Sequence, residues 1–167
     1  GVLFGRAGRF HMELLDGLSL ADQTVVWGHS QGGHAALWTG QLADSYAPDD
    51  QVIGVAALAP ASNLTGLAAH LDDVPGGSIF ESYIIQAYSD VYDDVRFDDY
   101  VRATARIPVR EIAARCLAEP EVFVSFISTL LFDKPITSRD PTTGSLGKRL
   151  SENVPLDPIS APLFIGQ

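Results

Sequence analysis

The residue pattern with the clearest chemical reading is Gly28-His29-Ser30-Gln31-Gly32, followed by Gly33. A serine hydroxyl becomes a nucleophile toward a carbonyl carbon once a base takes its proton. Glycines two positions either side suit that role. A strand that reverses sharply into a helix strains the serine backbone, and a Cβ at Gly28 or Gly32 is expected to collide in so tight a turn. The turn would project Ser30 at the carboxyl edge of a sheet, where ligands bind in open α/β folds. It would also aim the positive end of the following helix at the reacting carbonyl, with the Gln31 N–H as donor to an oxyanion. A bare G-x-S-x-G arises often by chance. Its meaning depends on a strand before it and a helix after it, the context of a nucleophile elbow.

The flanks supply that context. Residues 24–27, Thr-Val-Val-Trp, are a β-branched and apolar run, the pattern of a strand buried on both faces. From residue 31 to about 46 the pattern turns helical, with Ala35, Trp38, Leu42 and Tyr46 on one face. Ala47-Pro48-Asp49-Asp50 ends it, and 52–58 read as a second buried strand. Strand, helix and strand with short loops make a βαβ unit and a parallel sheet. Beyond residue 64 helical stripes take over. Phe80, Tyr83, Ile84, Ala87 and Val91 form one, and Val109, Ile112, Ala113 and Cys116 form another after Pro108. Pro120 opens a third, with Phe123, Phe126, Ile127, Leu130 and Leu131 as the insertion's own core or the lining of an acyl pocket. Residues 135–158 read as loop, and 162–166 as a third buried strand. The expected architecture is an α/β sheet interrupted by a long helical insertion.

An activated serine needs a histidine base oriented by a carboxylate. The sequence offers His11, His29, His34 and His70. His29 is expected on the opposite side of the strand from Ser30. His34, one helical turn on, is expected to point away from the attack face or into packing. His11 falls on a helical stretch upstream, and His70 on the first helix of the insertion. With this elbow the base follows the acid late in the chain, so none of the four suits the role. Asp90, Asp93, Asp94, Asp98 and Asp99 could offer oxygens to calcium, but the D-x-D-x-D-G spacing is missing and a solvated acidic helix end is expected instead. No metal site and no cofactor is expected. Asn63 and Thr65 match the N-x-S/T acceptor spacing for a glycan.

Composition narrows the classes further. Of 167 residues, 46% are hydrophobic and 19% charged, which excludes wholesale disorder. Eleven basic against 21 acidic side chains give a net charge of -10, which argues against a nucleic-acid partner and against an anionic lipid surface. Cys116 is the only cysteine, so neither an intrachain disulfide nor a cysteine zinc site can form, and an inert position on an apolar helix face is expected. No apolar run approaches the ~18 residues of a membrane span. The first residue is Gly rather than Met, and an internal piece of a longer chain is expected.

The stretch from Val25 through Gly28-His29-Ser30-Gln31-Gly32-Gly33-His34 to Ala36 resembles the elbow of the secretory lipases, a family of α/β-hydrolases. Ala59-Pro60-Ala61-Ser62-Asn63-Leu64 resembles that family's exit into a helical cap. Gly76-Gly77 and the run from Ser82 to Tyr88 fit the cap's first long helix. Ala161-Pro162-Leu163-Phe164-Ile165-Gly166-Gln167 resembles the strand before the catalytic aspartate. The resemblance implies a partial α/β-hydrolase fold, parallel strands with a nucleophile elbow, carrying a mainly helical cap insertion. It assigns 1–63 to the core, 64–154 to the cap, and 155–167 to the return to the core. It implies Ser30 as nucleophile, an aspartate and a histidine beyond Gln167, and a second oxyanion donor before Gly1.

The expected function is therefore serine acyl hydrolysis of a small-molecule ester or lipid, by a Ser-Asp-His triad of which only Ser30 is in the chain. The family resemblance implies a secreted enzyme. A peptidase or acyltransferase on the same fold, or a non-catalytic fragment that binds apolar ligands, are the alternatives. The 167 residues alone are expected to lack esterase activity. Three strands with unpaired edges also make them poorly soluble or partly molten by expectation.

Overall fold

Strand β1 (Gln23–His29), helix α1 (Gln31–Tyr46) and strand β2 (Gln51–Leu58) follow one another, and strand β3 (Leu163–Gly166) joins them from the far end of the sequence. The structure, a computed structural model, describes residues 23–115, 122–130, 132 and 135–167. The expectations for His11, Cys116, Pro120 and Leu131, and for the side chain of Leu130, lie outside the described residues. The chain divides into two compact units, Gly1–Ser62 with Pro155–Gln167, and Asn63–Val154.

In the first unit the strand order is β1-β2-β3, and both pairings are parallel. Trp27 stands opposite Ala56, and Ala56 opposite Phe164, so all three share one face of the sheet. Val26, Val55 and Leu163 share the other. Helix α1 covers that second face, and a Cβ on Gly40 would lie 2.7 Å from Val55 Cγ2 and 3.1 Å from Ile159 Cγ2. The segment before β3 is tied to the same helix. Gln41 exchanges two hydrogen bonds with Asp157, and Ser160 Oγ donates to Asp44 at 2.6 Å.

Two expectations fail in this unit. The buried face of α1 is Gly33, Ala36, Leu37, Gly40 and Ala43, whereas Ala35 and Tyr46 are exposed. Small residues let the helix axis come close to the sheet, and that outweighs the bulkier stripe on its other side. The strands are not buried on both faces either. Val25, Trp27 and Phe164 are each at least 60% exposed, while Val55 and Ala57 of β2 are buried. Among the described residues, only β2 has a strand on each side and a helix across it.

The second unit is helical. It comprises α2 (Leu64–His70), a 3₁₀ turn (Leu71–Asp73), α3 (Gly77–Val91), α4 (Phe97–Tyr100), α5 (Arg106–Ala113), α6 (Val122–Leu130) and α7 (Gly144–Glu152). Asn63 caps α2, its Oδ1 accepting from the Gly66 N–H at 2.9 Å. The centre is Tyr100, fully buried, whose hydroxyl donates to the Thr143 carbonyl and accepts from the Leu146 N–H at 2.9 Å. An antiparallel bridge, Val101 with Thr137, clips the returning chain beside it.

Here too the sequence pattern misleads in places. Residues 144–152, expected as loop, form α7, because Leu146 and Leu150 one turn apart are fully buried. In α3 the inward face is Gly77, Ile79, Glu81, Ser82 and Ile85, while Phe80 and Val91 are exposed. In α6 Phe123 is 71% and Ile127 59% exposed, and Ser125 is fully buried, so these phenylalanines are not this unit's core. The Val109 and Ile112 pair of α5 is buried. Among the described residues no helix is long and apolar enough to cross a membrane.

Candidate active site

Ser30 is the single residue between β1 and α1. Its backbone stands at φ 55° and ψ -117°, one of two non-glycine residues at positive φ among those described. A side chain there is strained, and the strain persists only because the surroundings over-determine it. Three contacts do so. The Ser30 N–H donates to the Leu58 carbonyl at 2.9 Å. The Ser30 carbonyl accepts from the His34 N–H at 3.0 Å, the first bond of α1, and from the Ala61 N–H at 3.1 Å. Residue 30 is thus bonded on both sides of its peptide backbone to the chain leaving β2.

The exit of β2 is itself strained. Ala59 has φ 40°, and its N–H donates to the Gly166 carbonyl at 2.7 Å, which links β3 to the same corner. Glycines permit the close approach. A Cβ on Gly28 would overlap the carbonyl group of Gly32 and lie 2.8 Å from the Gly33 nitrogen. A Cβ on Gly33 would press on the Leu58 carbonyl oxygen at 3.0 Å and on Pro60 Cα at 3.1 Å. Gly32 departs from the expectation. A Cβ there would meet nothing within 4 Å outside its own helix, so what crowds the turn is the Gly32 carbonyl, not a missing Gly32 side chain. The sequence reading named Gly33, Ala59, Pro60 and Ala61 but missed their part in holding the elbow. The Gly32-Gly33 doublet was the available signal for the first.

The serine side chain is exposed and makes no capping hydrogen bond to the helix that follows it. A serine before a helix ordinarily spends its hydroxyl on the N–H groups of the first turn. At Ser30 those groups stay unclaimed by the side chain, and Gln31, first in the helix, has no intrahelical acceptor for its N–H. Ser30 therefore offers a hydroxyl beside a free donor at the carboxyl end of three parallel strands.

The histidines are accounted for in part. His34 Nε2 accepts from Trp38 Nε1 at 3.1 Å, with the rings edge to face, which places it in packing on α1. His29 is exposed at the end of β1. His70, in the other unit, lies 3.5 Å from Asp73 on the surface. In the acidic segment weighed against calcium binding, Asp94 pairs with Arg149 at 3.1 Å and Asp98 with Arg106 at 3.2 Å. Among the described residues no three His, Cys, Asp or Glu side chains converge on a common point.

Comparison with known proteins bears on the family and the fold. The family model described as secretory lipase matches residues 7–138. No curated protein sequence matches the chain. Among solved structures, a mutant of the rice cell wall degrading esterase LipA from Xanthomonas oryzae superimposes with a TM-score of 0.75 at 16% identity, over 96% of this chain and 46% of that one. Candida antarctica lipase A gives 0.69 at 16% identity, over 96% and 38%. At such identities the likeness establishes the fold: a parallel sheet with helices, part of the α/β-hydrolase architecture. The chain spans less than half the length of either structure.

Proposed function

The chain belongs to the secretory lipase family, and from that membership and the geometry at residue 30 we propose that it carries the nucleophile of a carboxylic ester hydrolase, a lipase or esterase. The observation that carries the reading is Ser30, a serine at φ 55° between a parallel strand and a helix whose exposed side chain does not cap that helix.

In the proposed reaction Ser30 Oγ attacks the ester carbonyl carbon as its proton passes to a histidine. The carbonyl oxygen becomes an oxyanion and accepts a hydrogen bond from the Gln31 N–H. Collapse releases the alcohol, protonated by the same histidine, and leaves an acyl-serine that water hydrolyses. The histidine and its orienting aspartate are assigned to residues beyond Gln167, and a second oxyanion donor to residues before Gly1. The relay needs no metal or organic cofactor. Asn63–Val154 is assigned the part of a cap. The outward Phe123, Phe126 and Ile127 of α6 support an ester with an apolar acyl chain as substrate. The family's secretory character supports an extracellular enzyme.

The test is hydrolysis of p-nitrophenyl esters by the intact protein and its Ser30→Ala variant, with peptide amides of matched acyl groups alongside. Ester turnover lost in the variant supports the proposal. Turnover unchanged in the variant, or amides cleaved in preference to esters, contradicts it.

A further inference from the structure

Glu81 is the buried charge that the proposed chemistry does not use. It lies on the inward face of α3, 2% exposed, and its Oε2 has no hydrogen-bond partner. Polar groups in such a position are ordinarily paired, and an unpaired carboxylate is among the costliest things to bury. Glu81 sits one helical turn after Gly77, where the chain enters α3 through a tight corner. Gly76 takes φ 78°, the Gly77 N–H donates to the Val74 carbonyl at 3.0 Å, and the Leu71 carbonyl occupies the space where a Gly77 Cβ would stand. The 3₁₀ turn that supplies this carbonyl also supplies Asp72, whose negative charge acts on Glu81.

We propose that Glu81 is a proton-controlled latch inside the Asn63–Val154 unit: with its carboxyl protonated the 71–77 corner packs onto α3, and with its carboxyl ionised the corner opens and lets water reach the charge. The opening step releases one proton to solvent and breaks no covalent bond. Burial first, and Asp72 second, push the Glu81 carboxyl up from its usual 4.5 to about 7, which places the transition around neutral pH.

The charges on the elements packed against α3 are engaged elsewhere. On the 3₁₀ turn Asp73 faces His70. Arg106 of α5 pairs with Asp98 of α4, Arg110 lies over the Phe97 ring at 4.6 Å, and Glu111 pairs with Arg115. Asp99 of α4 is exposed, and α6 carries no ionisable group. On α7, Lys148 and Arg149 pair with Glu152, and Arg149 with Asp94. Among the described residues no side chain hydrogen-bonds Glu81 Oε2, and the charge that acts on the carboxyl is that of Asp72.

The sign follows from the two protonation states. The folded corner holds the Glu81 proton more tightly than the open one, so its stability is full below about pH 4.5 and falls as pH rises toward 7. Hydrogen exchange of peptides covering 71–85, measured on the intact protein from pH 5 to 8 and corrected for intrinsic exchange, reads this directly. The opening constant is expected to rise roughly tenfold to a hundredfold over that range. Glu81→Gln, which keeps the shape and cannot ionise, is expected to remove the rise, and Asp72→Asn to make it smaller and end at lower pH. A flat profile in the unmutated protein, or the same rise in Glu81→Gln, overturns the proposal. Should the glutamine variant fail to fold, carboxyl NMR of Glu81 in the unmutated protein decides: a midpoint near 7 supports the latch, and one near 4.5 overturns it. The readout is independent of Ser30 chemistry.

Discussion

Replacing Gly28 by alanine tests how the elbow is built. The new Cβ would overlap the Gly32 carbonyl and stand 2.8 Å from the Gly33 nitrogen, inside the 3.0 Å that real Cβ contacts respect. Every obstructing atom is backbone, so no change of rotamer relieves the clash. The first turn of α1 must retreat, and Gly33 blocks its way, because that residue already packs on the Leu58 carbonyl and on Pro60. Overpacking of this kind costs about 1–3 kcal/mol, and the upper end applies where only backbone can move. Ser30 and the Gln31 N–H ride on the displaced turn, and a displacement of roughly 1 Å at reacting groups costs about a hundredfold in rate. Urea denaturation and ester hydrolysis by the intact protein measure the two effects. Gly32→Ala is the control: its Cβ meets nothing outside the helix, and alanine is preferred to glycine in a helix by up to ~1 kcal/mol, so stability is expected to hold or improve. Equal tolerance of both substitutions, or greater damage from Gly32→Ala, would refute the reasoning.

Two further outcomes are expected from the Asn63–Val154 unit. Tyr100→Phe leaves the buried Leu146 N–H without its acceptor, and urea unfolding should show a loss of about 1–3 kcal/mol. Ser125→Ala removes a fully buried hydroxyl that has no partner, so stability should be unchanged or higher by up to ~1 kcal/mol, and a clear loss would show that the hydroxyl is paired.

The elbow was legible because its chemistry is local. A β-branched run, a glycine-flanked serine and a helix signal are contiguous, and the observed β1, Ser30 and α1 are contiguous too. Two of the three contacts that hold Ser30 at its strained φ come from Leu58 and Ala61, about thirty residues away, and no local pattern announces them. Burial was less legible than element type. Helices α1, α3 and α6 carry apolar residues on more than one face, so periodicity alone does not select the packed one. In α1 small residues won by allowing close approach. In α6 a buried position went to Ser125 while Phe123 and Ile127 stayed exposed. Glycine and proline around 135–158 hid α7, since the short apolar pair Leu146 and Leu150 only becomes a signal once the Tyr100 hydroxyl pins the Leu146 N–H.

The central claim is that Ser30 is the nucleophile, and covalent capture tests it most directly. The intact protein is treated with a fluorophosphonate at stoichiometric amounts, digested, and its adduct mapped by mass spectrometry. One adduct, on Ser30, formed in step with the loss of ester hydrolysis and missing in Ser30→Ala, is the predicted result. An adduct on another residue that accompanies the loss of activity, or full labelling of Ser30 with turnover intact, would contradict it.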